Sequence, residues 1–350
     1  MQYNLLEILR CPVTRSELTL NTIKEVQQTF DEATITIIKE GILISDNGWF
    51  YPIIEGIPRL CVEAFIDYKV FLQLHLADYD ERSKKLKEEN EDFLKCIIKK
   101  NKRTKESFTK EWSVYDYKKD KTWDAGDVEM LERFLRETNE TQTSLTTKIV
   151  FDAGCGNGKL NCLLGDNKIT NIAMDFSESI VIANQHNVSK NVHFIQGDVQ
   201  FPPVAFNYFD IVHSSGVLIH TNNTELSLSC LTPTLKNKGK MSVFLYHPRK
   251  DLIHNTFNKI RQLTSKLPLG FQYYLYLFTL FPVSYCIKKL KGNKQNSREM
   301  MVDILDWFTP EFRSEHSHSE VAAWFLKRDF SQVQITTSDM FGFNTIAVKN

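Results

Sequence analysis

The chain lacks an excess of either charge, with 43 basic residues against 43 acidic ones over 350 positions. A nucleic-acid-binding domain usually carries a basic surplus, so the global balance gives nucleic acid no support as a partner. Cys-x-x-Cys pairs are also missing. The seven cysteines (Cys11, Cys61, Cys96, Cys155, Cys162, Cys230 and Cys286) are scattered and odd in number. That is the pattern of reduced thiols in a cytoplasmic protein rather than of a disulfide frame or a zinc site. The opening Met1-Gln2-Tyr3-Asn4-Leu5-Leu6-Glu7 has no basic region ahead of a long apolar one, so no secretory leader is expected. Internal repeats and low-complexity tracts do not stand out. What is present is globular in composition, 42% hydrophobic and 25% charged, at a length that suits two domains.

Residues 1–62 read as a small β-rich unit. Leu5, Leu6, Ile8 and Leu9 predict a short helical turn that Cys11-Pro12 ends. Ile35, Ile37, Ile42 and Ile44 alternate as strand residues do, and Asp46-Asn47-Gly48 is a hairpin turn followed by Trp49-Phe50-Tyr51. A unit of this size is marginal alone and is expected to pack on its neighbour. Residues 63–105 predict a helical connector whose mixed charges form a solvated face; Lys99 to Lys105 lack the interleaved aromatics of an RNA-binding patch. From 106 to 350, strand and helix signals alternate. Strands are expected at Ile149–Phe151, Ile169–Met174, Val192–Ile195, Phe209–His213 and Lys240–Tyr246, with a terminal hairpin of Val333–Thr337 and Thr345–Val348. This implies an α/β fold whose parallel sheet is covered on both faces.

The most informative stretch is Val150-Phe151-Asp152-Ala153-Gly154-Cys155-Gly156-Asn157-Gly158-Lys159-Leu160. An apolar strand ends in an acid, and alternating glycines then let backbone press against a ligand. A phosphate-cradling loop needs Ser or Thr after Gly-Lys, where Leu160 stands. A dinucleotide fingerprint needs a last small residue, where Lys159 stands. Further landmarks follow in order: Asp175 after the second strand, Gln196-Gly197-Asp198-Val199 after the third, and Phe209-Asp210-Ile211-Val212-His213-Ser214-Ser215-Gly216-Val217-Leu218-Ile219-His220.

Together these resemble class I S-adenosylmethionine-dependent methyltransferases of the type 11 kind. The resemblance implies a Rossmann-like seven-stranded sheet with a terminal antiparallel hairpin, and S-adenosylmethionine as cofactor. By position it implies that Gly154, Gly156 and Gly158 approach the methionine and ribose parts, while Asp152 supports that loop and the cofactor's amino group. Asp175 accepts from the ribose hydroxyls, Asp198 from the adenine amine, and Val199 lies on the ring; Ser214 offers a main-chain contact. Ser107-Phe108-Thr109-Lys110-Glu111-Trp112 resembles a segment that folds over the cofactor in some of these enzymes, which implicates Phe108 and Trp112; as an i,i+4 pair they also read as helix packing.

The minidomain resembles the small zinc-ribbon-like activator subunit of tRNA and protein methyltransferases, through Leu5-Leu6-Glu7-Ile8-Leu9-Arg10-Cys11-Pro12 and Tyr51-Pro52-Ile53-Ile54-Glu55-Gly56-Ile57-Pro58-Arg59-Leu60. Zinc-bearing members have Cys-Pro-x-Cys, and Thr14 stands in the last place here. A structural zinc needs four donors, so no metal is expected.

Leu267 to Ile287 carries no charge and is flanked by Lys266, Lys288 and Lys289. It is long enough to cross a bilayer, but Pro268, Gly270, Gln272 and Pro282 interrupt it. The favoured expectation is a cap over the substrate site; a peripheral membrane contact and a homodimer contact stay open. The general-base candidates are His220, His247 and His316. The expected activity is methyl transfer to a small or lipid-like molecule, at an O, N or C acceptor. Methylation of RNA or protein, and a non-catalytic cofactor-binding scaffold, are the alternatives.

Overall fold

The computed structural model describes residues 1–31, 33–122, 125–249 and 251–350. Two sheets form. The first is antiparallel, in the order β1 (Leu18–Thr29), β2 (Thr34–Ser45), β3 (Phe50–Ile54), β4 (Ile57–Pro58). Gly48, at φ +82°, turns the chain between β2 and β3, as the Asp-Asn-Gly signal predicts. The two isoleucine pairs belong to one twelve-residue strand. Its partner β1 had no sequence signal, because the middle of this edge strand, Asn21 to Glu25, is exposed on both faces.

The second sheet has seven strands in the order β10-β11-β9-β8-β5-β6-β7. These are β5 (Ile149–Ala153), β6 (Thr170–Asp175), β7 (Val192–Gln196), β8 (Phe209–Ser215), β9 (Leu235–Tyr246), β10 (Phe330–Ser338) and β11 (Gly342–Lys349). Strands β5 to β9 run parallel, and β11 is antiparallel to both β9 and β10. The expected α/β architecture with its terminal hairpin is therefore present. After β5 the chain builds outward through β6 and β7, then returns to lay β8 on the other side of β5. Such a reversal opens a crevice at the carboxyl ends of the two central strands, where α/β folds bind ligands.

The two sheets share one apolar core. Leu5, Leu9, Phe50 and Phe65 from the amino-terminal part cluster with Phe151, Met174, Val212 and Phe343. Leu9 forms an antiparallel bridge with Val204, and Arg59 a parallel bridge with Gln196 at the end of β7. A helix of 24 residues, Glu91–Val114, runs without interruption through position 105, where the sequence had put the edge of the catalytic domain. Its buried stripe, Leu94, Ile97, Asn101 and Glu111, has helical spacing.

Between β9 and the helix His318–Leu326 comes the insertion. It consists of helices Leu252–Thr264, Leu269–Phe278, Leu280–Leu290 and Ser297–Phe308. The uncharged stretch thus breaks at Thr279 into two short helices. Among the described residues no helix is long and apolar enough to cross a membrane. Ser317 caps the helix His318–Leu326, accepting from the Glu320 N–H, as its position before an apolar run predicts.

Candidate active site

The glycine loop leaves β5 at the crevice. Gly154 sits at φ +106°, and a Cβ there would fall 2.2 Å from Val217 Cγ2. Gly156 sits at φ +55°, and its Cβ would meet Trp112 Cζ2 at 2.8 Å. Only glycine fits both the backbone and the space at these positions. Asp175, at the end of β6, ties the loop down. Its Oδ2 accepts from the Gly156 N–H at 2.8 Å, and its Oδ1 accepts from the N–H and hydroxyl of Ser177 at 2.8 and 2.7 Å. Exclusion of water pushes the Asp175 carboxyl above its ordinary range, against these hydrogen bonds.

Asp198 follows β7. Its Oδ1 accepts from the Gln200 N–H at 2.9 Å, and its Oδ2 pairs with Lys100 at 3.1 Å. Val199 lies beside it, 7% exposed. Asp152 is buried and engaged on both oxygens. Asn161 donates to Oδ2 at 3.0 Å, and His213 Nδ1 lies 2.8 Å from Oδ1. The other ring nitrogen of His213 lies 2.9 Å from Glu137 Oε2. A ring with a carboxylate on each nitrogen is held as imidazolium. Burial opposes that charge, but the bonds to Asp152 and Glu137 outweigh it and raise His213 to about 10.

A cavity of about 1190 Å³ opens over this loop. Asp152, Gly154, Gly156, Asp175, Asp198, Val199, Phe108 and Trp112 all line it, so the structure gathers these sequence-expected residues in one place. Gly158 and Ser214 do not line it. Gly158 is instead the left-handed N-cap of the helix Lys159–Asp166. The Ser214 hydroxyl turns inward to the Ala153 carbonyl at 2.7 Å, and Ser215 and Gly216 face the cavity instead.

The three histidines separate. His220 lines the cavity, but burial lowers it to about 3, so it is neutral. Its Nδ1–H donates to the Phe312 carbonyl at 3.0 Å, which leaves Nε2 as a lone pair. His247 lies outside the lining, against the Asp339 carbonyl at 3.1 Å. His316 is also outside, between Glu320 and Thr224 at 3.1 and 3.0 Å.

The far side of the cavity comes from the insertion. Leu280, Val283 and Ile287 line it, with Asp306, Trp307 and Phe308 from the last insertion helix. The apolar stretch thus forms a wall of the cavity.

The site fits a nucleoside cofactor. Partly open Asp175 keeps acceptor capacity toward the cavity, Val199 and Phe176 supply apolar faces, and the volume exceeds what one drug-sized ligand fills.

Residues 151–243, from β5 into β9, match the family model described as a methyltransferase domain. The chain is therefore a methyltransferase, and its cofactor is S-adenosylmethionine. Among curated proteins none matches it. It is similar in fold to a magnesium protoporphyrin IX methyltransferase from Synechocystis with bound S-adenosylhomocysteine, at 15% identity and TM-score 0.39, over 73% of this chain and 100% of that one. It is similar too to 1,6-didemethyltoxoflavin-N1-methyltransferase from Burkholderia thailandensis, at 12% identity and TM-score 0.36, over 60% of this chain and 76% of that one. Neither likeness bears on the substrate.

Sequence reasoning missed the Glu137–His213–Asp152 array and the acid Glu111. His213 stood inside a quoted motif, but its two partners come from a different strand and a different helix. Glu111 left a signal: it ends the stripe of helical spacing that begins at Leu94 and shares a face with Phe108.

Proposed function

We propose that this chain methylates a small or lipid-like acceptor held between the glycine loop and the insertion. The observation that carries this reading is one cavity lined both by Gly154, Gly156 and Asp175 and by Leu280, Val283 and Ile287. Bound S-adenosylmethionine supplies an electrophilic methyl carbon. The chain's own task is to align the acceptor and exclude water. Gly154 and Gly156 admit the cofactor's backbone-side atoms, Asp175 receives ribose hydroxyls, and Asp198 with Val199 holds the adenine. Phe108 and Trp112, on the helix Glu91–Val114, close the near side. His220 acts as a neutral acceptor and wall; its low basicity argues against a proton-abstracting role.

RNA as acceptor loses support. Lys100 pairs with Asp198, and Lys105 with Glu63 and Asp67, so both are turned inward rather than toward a phosphate chain. The segment 1–62 acts as a built-in activator-like module. In support, Arg59 is buried and reaches Glu178 Oε2 at 2.8 Å, and the Leu60 N–H donates to the Gln196 carbonyl at 2.8 Å. The first of these contacts braces the loop that follows Asp175. The insertion exposes Leu263, Phe278 and Leu290, and Leu290 is flanked in sequence by the exposed Lys289 and Lys291. Apolar side chains beside lysines support contact with an anionic membrane surface.

Two measurements test this. Calorimetry with S-adenosylmethionine should show binding by the wild type and at least about tenfold weaker binding by Asp175→Ala. Incubation with labelled cofactor and a fractionated cell extract should place the methyl group in the small-molecule or lipid fraction. Label confined to RNA or protein would overturn the acceptor class.

A further inference from the structure

Glu111 is fully buried, yet neither of its carboxylate oxygens has a hydrogen-bond partner among the described residues. A buried acid in that state costs several kcal/mol, roughly, unless something else meets it. It lines the cavity together with Asp306 and His220. Asp306 is 5% exposed, near the end of the helix Ser297–Phe308. Its Oδ2 takes a long bond from the Tyr246 hydroxyl at 3.3 Å, and its Oδ1 lies 3.6 Å from His220 Nε2, itself without a partner. Since His220 gives its proton to Phe312, Nε2 is an acceptor as well. Glu111 and His220 Nε2 without donors, and Asp306 with one long one, therefore line the same cavity.

Among the described residues no donor reaches Glu111. The guanidinium of Arg313 lies over the rings of Tyr246 and Trp307, and is hydrogen-bonded to Glu315 at 2.6 Å. A metal does not answer the need, because among the described residues no three His, Cys, Asp or Glu side chains are arranged to hold one. Burial and mutual repulsion push Glu111 well above its ordinary range, and burial brings Asp306 to about 7. Without a guest, burial favours the protonated form of these acids; a cationic guest favours the ionised form. Phe108, Phe257, Phe308, Val283 and Ile287 line the same cavity with apolar surface.

We infer that the acceptor is an amphiphilic amine, whose nitrogen seats among Glu111, Asp306 and His220 while its apolar body lies along the insertion; bound as an ammonium, it first passes one proton to the Glu111 carboxylate, which frees the lone pair that takes the methyl group. The inference rests on reading the cavity as the acceptor site. It assigns Glu111 and Asp306 to substrate recognition and explains why an acid ends an otherwise core-facing helical stripe.

The test uses the full-length protein with S-adenosylhomocysteine present, titrated with octylamine, octanol and octanoate as probes. Octylamine should bind the wild type at least about tenfold more tightly than either of the others. Glu111→Gln and Asp306→Asn should each lose about tenfold or more of octylamine affinity while leaving octanol binding in place. Equal binding of the three probes by the wild type, or preference for octanoate, overturns the inference. So does undiminished octylamine binding by both variants. Binding of S-adenosylhomocysteine by the wild type is read separately: if that is absent, the methyltransferase reading itself fails, and if it is present without an amine preference, only the amine assignment fails.

Discussion

Asp152 and His213 are register partners on the adjacent parallel strands β5 and β8, and their side chains meet at 2.8 Å between Oδ1 and Nδ1. Asp152 begins the glycine motif, so the loop proposed to hold the cofactor is anchored to a buried cation, which Glu137 pairs from the other side at 2.9 Å. Removing the ring leaves two buried carboxylates without a counter-charge. His213→Gln is expected to cost roughly 3–5 kcal/mol of stability. The folded value of about 10 stands above the ordinary 6.5, so the stabilisation is complete below the ordinary value and is lost as pH rises through the folded one. Urea denaturation of both proteins at about pH 6 and about pH 10 checks this. The gap between them should narrow at the higher pH, and an unchanged gap would refute the imidazolium.

Gly156→Ala places a Cβ 2.8 Å from Trp112 Cζ2 in backbone at φ +55°. The left-handed conformation costs about 1 kcal/mol for a non-glycine residue, and the indole must also move. Because Gly156 and Trp112 both line the cavity, cofactor affinity should fall along with the melting temperature. Calorimetry and thermal unfolding on the same preparation measure both; unchanged affinity would show that Trp112 does not contact the cofactor.

Lys105 and Lys99 are predicted to behave differently although they lie on one basic run. Lys105 meets Glu63, which is 3% exposed, at 3.0 Å. Lys105→Ala therefore strands a buried acid and should destabilise by roughly 3–5 kcal/mol. Lys99 is exposed, and Lys99→Ala should stay within about 0.5 kcal/mol of the wild type. Neither change should alter RNA retention on a filter at low salt. A loss of retention on Lys99→Ala would revive the RNA reading.

The exposed apolar side chains of the insertion predict sedimentation with vesicles that contain anionic lipid, weakened by raising salt. Leu263→Ser with Phe278→Ser should reduce it, since each removes apolar area from the contact. Equal sedimentation with neutral and anionic vesicles would remove the lysines from the account, and none with either would remove the membrane.

The legible part of the site was local. The glycine loop, Asp175 and Asp198 each follow a strand signal directly, and the strand ends lie within a few residues of where alternation and apolar runs put them. The illegible part was made by contacts across the chain. β1 escaped because its middle, Asn21 to Glu25, is exposed on both faces and so carries no apolar alternation. His247 and His316 drew attention as titratable residues in promising segments, but folding turns the first to the Asp339 carbonyl and sets the second between Thr224 and Glu320. Glu111 looked like one more charge in a charged helix until that helix packed.

The motifs in order, through their resemblance to a known family, were enough to imply the cofactor and the seven-stranded sheet. A strand ending in an acid, followed by glycines, has few stable continuations, and each landmark needs only its neighbours. The proposed acceptor side exists only in the tertiary structure. Glu111 and Asp306 are 195 positions apart, and their unpaired burial beside one cavity exists only when the long helix and the insertion close on the sheet. Low dielectric and missing donors arise from packing, and no reading of either segment by itself contains them.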